Sequence, residues 1–245
     1  MNQKDFIKNY NFKFKKKYGQ NFIIDDNVLK KIVKEAKIDK DTLVIEIGPG
    51  AGALTKFLKE SSKLVLAYEI DESLKPILST IEGVDVIYDD FLKRDLTLDL
   101  KKYSYKKLYI VANLPYYITT PIITKLINDN INVDKIIITI QKEVGDRLLA
   151  KPNCKEYNSL TIFINYYFNV SKLFNINRTS FIPKPNVDSI VIKMDKKINR
   201  PLVKNEEIFF KLIRDSFKQK RKTLKNNLKD YDFEKVLNVL KKHGF

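Results

Sequence analysis

The chain has 245 residues, 44% of them hydrophobic, which suits one large domain with a small appendage and excludes disorder as the default. A net charge of +16 and a pI near 9.6 point to a polyanionic partner, either nucleic acid or an acidic membrane surface. No apolar run is long enough to span a membrane, Met1–Asp5 lacks a signal-peptide core, and a single cysteine, Cys154, excludes an internal disulfide and a cysteine-based zinc site.

The chain is therefore expected to be soluble and cytoplasmic, with no metal site. Residues 8–18 interleave lysines with aromatic rings, the mixture that neutralises phosphates and stacks on unpaired bases, so Lys15, Lys16 and Lys17 are expected to contact RNA. Gly19–Ile24 reads as a short turn. Asp25 or Asp26 can then cap a helix whose apolar face is Val28, Leu29, Ile32, Val33 and Ala36. From Thr42 strands and helices alternate, the signature of a parallel sheet. The predicted strands are 42–47, 64–68, 84–88, 108–112 and 135–140, followed by 170–174 and 187–192, with helices at 143–149 and 159–166. Two prolines, Pro183 and Pro185, make the connection before the last strand a rigid loop. Composition changes near Lys196–Pro201. Domains are expected at 1–40 (basic arm and helix), 41–196 (catalytic) and 197–245 (a small basic helical module carrying Lys220, Arg221 and Lys222 as further RNA contacts). The lone histidine, His243, is expected to be solvated.

The chemistry gathers at strand ends. Gly48-Pro49-Gly50-Ala51-Gly52 follows the first strand and lets a ligand approach the backbone, while Glu69 closes the second strand where a carboxylate can accept from ribose hydroxyls. The third glycine falls one place early for a pyrophosphate fingerprint, and Glu46 before the turn suits a cationic methionine group better than a pyrophosphate. Both details favour S-adenosylmethionine over a dinucleotide. Asp90 ends the third strand and can reach an adenine amino group, with Phe91 against the ring; Asp89 beside it leaves that assignment open between the two acids. Asn113-Leu114-Pro115-Tyr116 ends the fourth strand. The Asn113 side-chain oxygen and the Pro115 carbonyl can each accept one hydrogen of a planar amino group, aiming its lone pair at a methyl donor. Tyr116 would stack on the base, with Phe181 as a second ring.

Asn113-Leu114-Pro115-Tyr116, together with Gly19-Gln20-Asn21-Phe22, Glu46–Thr55, Gln141–Arg147 and Phe181-x-Pro183-x-Pro185-x-Val187-Asp188-Ser189, resembles the motif set of the ribosomal RNA adenine N6-dimethyltransferases, most closely the small-subunit (KsgA, or RsmA) type. The resemblance covers nearly the whole chain. It implies a class I methyltransferase fold of the α/β class: a Rossmann-like, seven-stranded, mostly parallel sheet with a small helical C-terminal domain. It implies S-adenosyl-L-methionine as cofactor, held by Asn21, Ile23, Gly48, Gly50, Glu69, Asp90 and Asn113, and catalysis by Asn113, Pro115, Tyr116 and Phe181. The implied substrate is a pair of adjacent adenines in the 3′-terminal hairpin of 16S rRNA within the immature small subunit, each dimethylated by a monomeric enzyme. Asn158, where relatives often carry glycine, and Ile23, in place of the usual leucine, depart from the pattern. Two alternatives stand beside this reading: an Erm-like 23S rRNA adenine methyltransferase conferring macrolide resistance, and a non-catalytic rRNA-binding assembly factor.

Overall fold

The computed structural model describes residues 14–15, 18–115 and 118–244. The strands among the described residues are β1 (Phe22–Ile23), β2 (Thr42–Ile47), β3 (Leu64–Glu69), β4 (Val84–Tyr88), β5 (Lys107–Asn113), β6 (Lys135–Gln141), β7 (Phe168–Ile176), β8 (Phe181–Ile182) and β9 (Ser189–Lys196). β2 is buried at all six positions, and β5 and β6 at their five inner ones. Strands so nearly buried throughout and so rich in Ile, Val and Leu belong in the middle of a sheet covered on both faces. They take that place in a seven-stranded sheet of order β4-β3-β2-β5-β6-β9-β7. The pairs from β4 through β6 are parallel and β9 runs antiparallel to β6.

The order reverses between β2 and β5, so the crevice of the sheet opens beyond the carboxyl ends of these neighbours. Those ends carry the glycine turn and Asn113. The helix Asp26–Ala36 covers one face with Leu29, Ile32, Val33 and Ala36, the spacing its sequence predicts. Asp25 caps its start by accepting from the Asn27 N–H at 2.9 Å, and Lys37 ends it in the left-handed region at φ 52°. Each of its buried aliphatic side chains larger than alanine contributes roughly 1.5–3 kcal/mol.

Three expectations need correction. Gly19–Ile24 is not only a turn: Phe22 and Ile23 form β1, which pairs antiparallel with Ile182 and Phe181 of β8. Two residues are too few to show a period. β7 extends beyond the expected 170–174. β9 starts at Ser189 rather than at Val187, because Asp188 is engaged elsewhere: its carboxylate accepts from the Arg178 N–H and its carbonyl from the Lys142 N–H.

The chain divides into two compact units. The first comprises the described residues up to 146 together with 169–196, and holds nearly all of the sheet. The second comprises 147–168 with 197–245. A boundary at 196 alone is therefore incomplete, since 147–168 joins the tail. The second unit is helical, and its core is aromatic: Phe163, Tyr166, Tyr167, Phe209 and Phe210 pack with ring centroids about 5–6 Å apart. The Tyr167 hydroxyl donates to Glu206 at 2.6 Å, and Arg200 lies over both tyrosine rings. Asn158 caps the helix Ser159–Tyr167 in a full capping box with Thr161, a role glycine could fill only without side-chain bonds. Among the described residues no helix is long and apolar enough to cross a membrane.

Candidate active site

A cavity of about 220 Å³ lies in the first unit at the carboxyl ends of β2, β3 and β5. Its floor is the glycine turn. Gly50 adopts φ 58°, and a Cβ there would lie 2.7 Å from the Phe22 ring; at Gly52, φ 76°, a Cβ would lie 2.3 Å from Ile81 Cδ1. Only glycine satisfies both the dihedrals and the space. The turn is tied down by Gly48 N–H donating to the Tyr68 carbonyl at 2.8 Å and by Gly50 N–H donating to Glu69 Oε2 at 3.0 Å.

Glu69 is buried, and its other oxygen accepts from the Asp71 N–H at 2.8 Å. Burial pushes its carboxyl up, and the backbone donors of Asp71 and Gly50 hold it back. A carboxylate oxygen can accept more than one hydrogen bond, so these contacts fix the group without exhausting it. Glu46, one strand over, is buried within β2 and does not line the cavity. Burial lifts its carboxyl to about 8, which keeps it neutral at physiological pH.

The two acids at the end of β4 separate in the structure. Both line the cavity, yet Asp89 pairs with Arg94 at 3.3 Å whereas Asp90 caps the single turn Phe91–Lys93, its Oδ1 accepting from Leu92 N–H at 3.0 Å. Behind them Asp99, held below the usual carboxylate range chiefly by Arg94, accepts from Arg94 and from the Tyr68 hydroxyl. Tyr68 in turn sets the Phe91 ring edge-on at 5.1 Å. Phe91 is thereby fixed as a buried wall.

Asn113 closes β5. Its Nδ2 donates to the Asn21 carbonyl at 2.7 Å, which decides which end of the amide is left as acceptor. The next backbone groups are equally constrained: Leu114 N–H donates to Thr139 O at 3.1 Å, and Pro115 O accepts from Ile118 N–H at 3.2 Å, leaving a second lone pair on that oxygen.

Of the residues expected at the site, Asn21, Gly48, Gly50, Glu69, Asp90, Asn113 and Pro115 line this one cavity. Tyr116, Lys16 and Lys17 lie outside the described residues. Two assignments are corrected. Phe181 is 2% exposed and Ile23 3%; both side chains sit in the core with Leu29 and Ile32, because pairing of β1 with β8 turns these opposed residues away from the crevice. Neither side chain lines the cavity. Lys15 has a partner within the chain: its ammonium pairs at 2.5 Å with the buried Asp71 carboxylate. In the second unit Arg221 and Lys222 are exposed, while exposed Lys220 also donates to the Lys155 carbonyl. Gln20, Phe22 and Ile118 line the cavity although their sequence gave no reason to select them individually.

The sequence pattern described as "Ribosomal RNA adenine dimethylase" matches residues 11–245. The chain belongs to the ribosomal RNA adenine dimethylase family. Among its relatives, the ribosomal RNA small subunit methyltransferase A of Bacillus pumilus is 48% identical over 232 residues, spanning 92% of this chain and 80% of the relative. The protein of the same name from Clostridium botulinum is 46% identical over 240 residues, with 96% and 86% covered. A dimethyladenosine transferase structure from Plasmodium falciparum superposes with a TM-score of 0.73 at 32% identity, covering 89% of this chain and 77% of that one. The 23S rRNA methyltransferase ErmE shares the fold, with a TM-score of 0.68 at 23% identity over 90% and 88% of the two chains.

This dimethylase uses S-adenosylmethionine, and the cavity fits it. The glycine turn leaves the backbone bare where a side chain would intrude, a buried carboxylate stands at the end of β3, and a fixed aromatic ring forms one wall. That combination suits a nucleoside-bearing ligand.

Proposed function

We propose that this dimethylase methylates the N6 atoms of two adjacent adenines in the 3′-terminal hairpin of 16S rRNA, acting as a cytoplasmic monomer on the immature small subunit. The observation that carries the chemistry is the Asn113 amide at the end of β5, locked at 2.7 Å to the Asn21 carbonyl and followed by the constrained Pro115 carbonyl. The relatives named for the small subunit, at 46–48% identity, support the choice of RNA.

S-adenosylmethionine would supply an electrophilic methyl group, its sulfur–methyl bond breaking to leave the neutral thioether S-adenosylhomocysteine. The residues of this chain prepare its acceptor. An adenine amino nitrogen is a poor nucleophile because its lone pair is delocalised into the ring. In our reading Asn113 Oδ1 accepts one amino hydrogen and the Pro115 carbonyl the other, which favours a pyramidal nitrogen with its lone pair directed into the cavity. Holding reactants in such an attitude is worth several powers of ten in rate. Glu69 and Asp90 bind the donor's polar groups, and the glycine turn accepts its main body. As the nitrogen–carbon bond forms, the nitrogen becomes cationic and loses a proton to water, so the site needs no strong base. One amino hydrogen remains after the first transfer, and one of the two acceptors suffices to hold it for the second.

The test is transfer of labelled methyl groups to immature small subunits from a strain lacking the modification, with dimethyladenines mapped by primer extension. Asn113→Ala is expected to lower turnover by about a hundredfold or more while leaving RNA affinity nearly unchanged. Methyl groups appearing on large-subunit RNA instead would overturn the substrate; parallel loss of binding and turnover would overturn the role of Asn113.

A further inference from the structure

Asp71 lies two residues beyond β3 and N-caps the short turn Glu72–Leu74. A cap needs one oxygen and one donor, but this carboxylate does more. Its side chain is fully buried. Oδ1 accepts from the Ser73 N–H at 3.1 Å, the Ser73 hydroxyl at 2.6 Å and the Lys15 ammonium at 2.5 Å, and Oδ2 accepts from Gln20 Nε2 at 2.8 Å. Gln20 Oε1 in turn accepts from the Lys15 N–H at 2.8 Å. The two distant donors therefore come from one strap, which passes beside the cavity at Tyr18–Phe22.

The strap is anchored again at Phe22, which pairs with Ile182 and packs against Phe14. Asn21 is thus held between two fixed neighbours, and its carbonyl is the acceptor that orients the Asn113 amide. Asp71 thus holds Gln20 by a hydrogen bond, the peptide bond joins Gln20 to Asn21, and the Asn21 carbonyl accepts from the Asn113 amide.

We propose that Asp71 is a positioning residue for methyl transfer: by gripping Gln20 and Lys15 it sets the Asn21 carbonyl, which orients the Asn113 amide toward the acceptor nitrogen. The inference rests on the reading of Asn113 given above and assigns that residue's orientation to the strap. Asp71 touches neither substrate nor donor in this role. Its effect belongs in kcat at saturating substrates rather than in affinity for RNA.

Asp71→Asn preserves size and the Oδ1 cap but sets an N–H₂ group against Gln20 Nε2, donor against donor. Adding Gln20→Glu reverses the polarity, so that the introduced carboxylate accepts from both the position-71 amide and the Lys15 N–H. Gln20→Ala is a milder variant that removes the contact without touching the buried carboxylate. For each, kcat, calorimetric affinity for S-adenosylhomocysteine and amide hydrogen exchange over residues 18–23 are measured, with circular dichroism to establish folding. Asp71→Asn is expected to lower kcat about 10–100-fold and to speed exchange across the strap; Gln20→Ala should do both to a smaller extent, and the reversed pair should recover most of each. Unchanged kcat at saturation in both single variants would overturn the proposal. So would a loss that the folded reversed pair fails to relieve. Asn113→Ala in the same assay separates the two ideas: if it retains turnover the Asn113 reading falls, whereas its failure beside a fully active Asp71→Asn removes only the strap.

Discussion

Replacing Glu46 by glutamine should flatten the dependence of stability on pH. The carboxyl is 2% exposed, its Oε2 has no hydrogen-bond partner among the described residues, and burial raises it from 4.5 to about 8. In the folded chain it is protonated at neutral pH, whereas in the unfolded chain it is ionised above about pH 4.5. Folding therefore takes up a proton in that interval. The stabilising contribution is full below the unfolded value and declines as pH rises toward the folded one. At about 1.4 kcal/mol per unit, the native protein should lose roughly 3–4 kcal/mol from this group between about pH 5 and about pH 8. That figure is an upper limit, because relaxation around the ionised carboxylate reduces it. For a domain of this size each kcal/mol moves the unfolding temperature by about 2–4 °C. Glu46→Gln keeps the neutral shape at every pH and should lack this slope, so its melting temperature should rise relative to the native protein as pH increases. Scanning calorimetry of both proteins at several pH values decides it. Parallel profiles would refute the claim that a neutral buried acid lies beneath the glycine turn.

Two further outcomes can be checked. Gly50→Ala forces a side chain into φ 58° and against the Phe22 ring, which should destabilise the fold by about 1–2 kcal/mol and weaken calorimetric binding of S-adenosylmethionine; unchanged affinity would remove the turn from the cofactor site. Replacing Lys220, Arg221 and Lys222 together by alanine should reduce the slope of log affinity against log salt by about two for single-stranded RNA contacts; an unaltered slope would make that loop ordinary solvated surface.

The sheet was readable because β2, β5 and β6 are largely apolar runs of strand length, and the helix Asp26–Ala36 because its apolar residues recur at helical intervals. Glycine spacing and strand-end acids located Gly50, Glu69 and Asp90 for the same reason: a parallel sheet brings successive carboxyl ends to one edge. What local pattern could not reveal was pairing across long separations. Phe181 is an aromatic ring in a motif rich in site residues, and nothing within its neighbourhood tells that Ile23 draws it into the core. Lys15 resembles its lysine neighbours in composition, and only the fold brings it to the buried Asp71. Asn158 was legible in principle, since an asparagine three residues before a threonine at the head of an apolar run is a capping signal. The division of the chain was hidden because 147–168 is separated in sequence from the tail it joins.

The pairing of β1 with β8 bears on how the enzyme matures during synthesis. Phe22 and Ile23 leave the translating ribosome early, yet their partners Phe181 and Ile182 are made only after most of the sheet. At about 5–20 residues per second, the nascent strap waits roughly 10–30 seconds for the strand that secures it. The cavity wall at Asn21 is thus secured only after β2 through β6 have been made, so a growing chain carries its glycine turn and Asn113 well before the strap beside them is fastened.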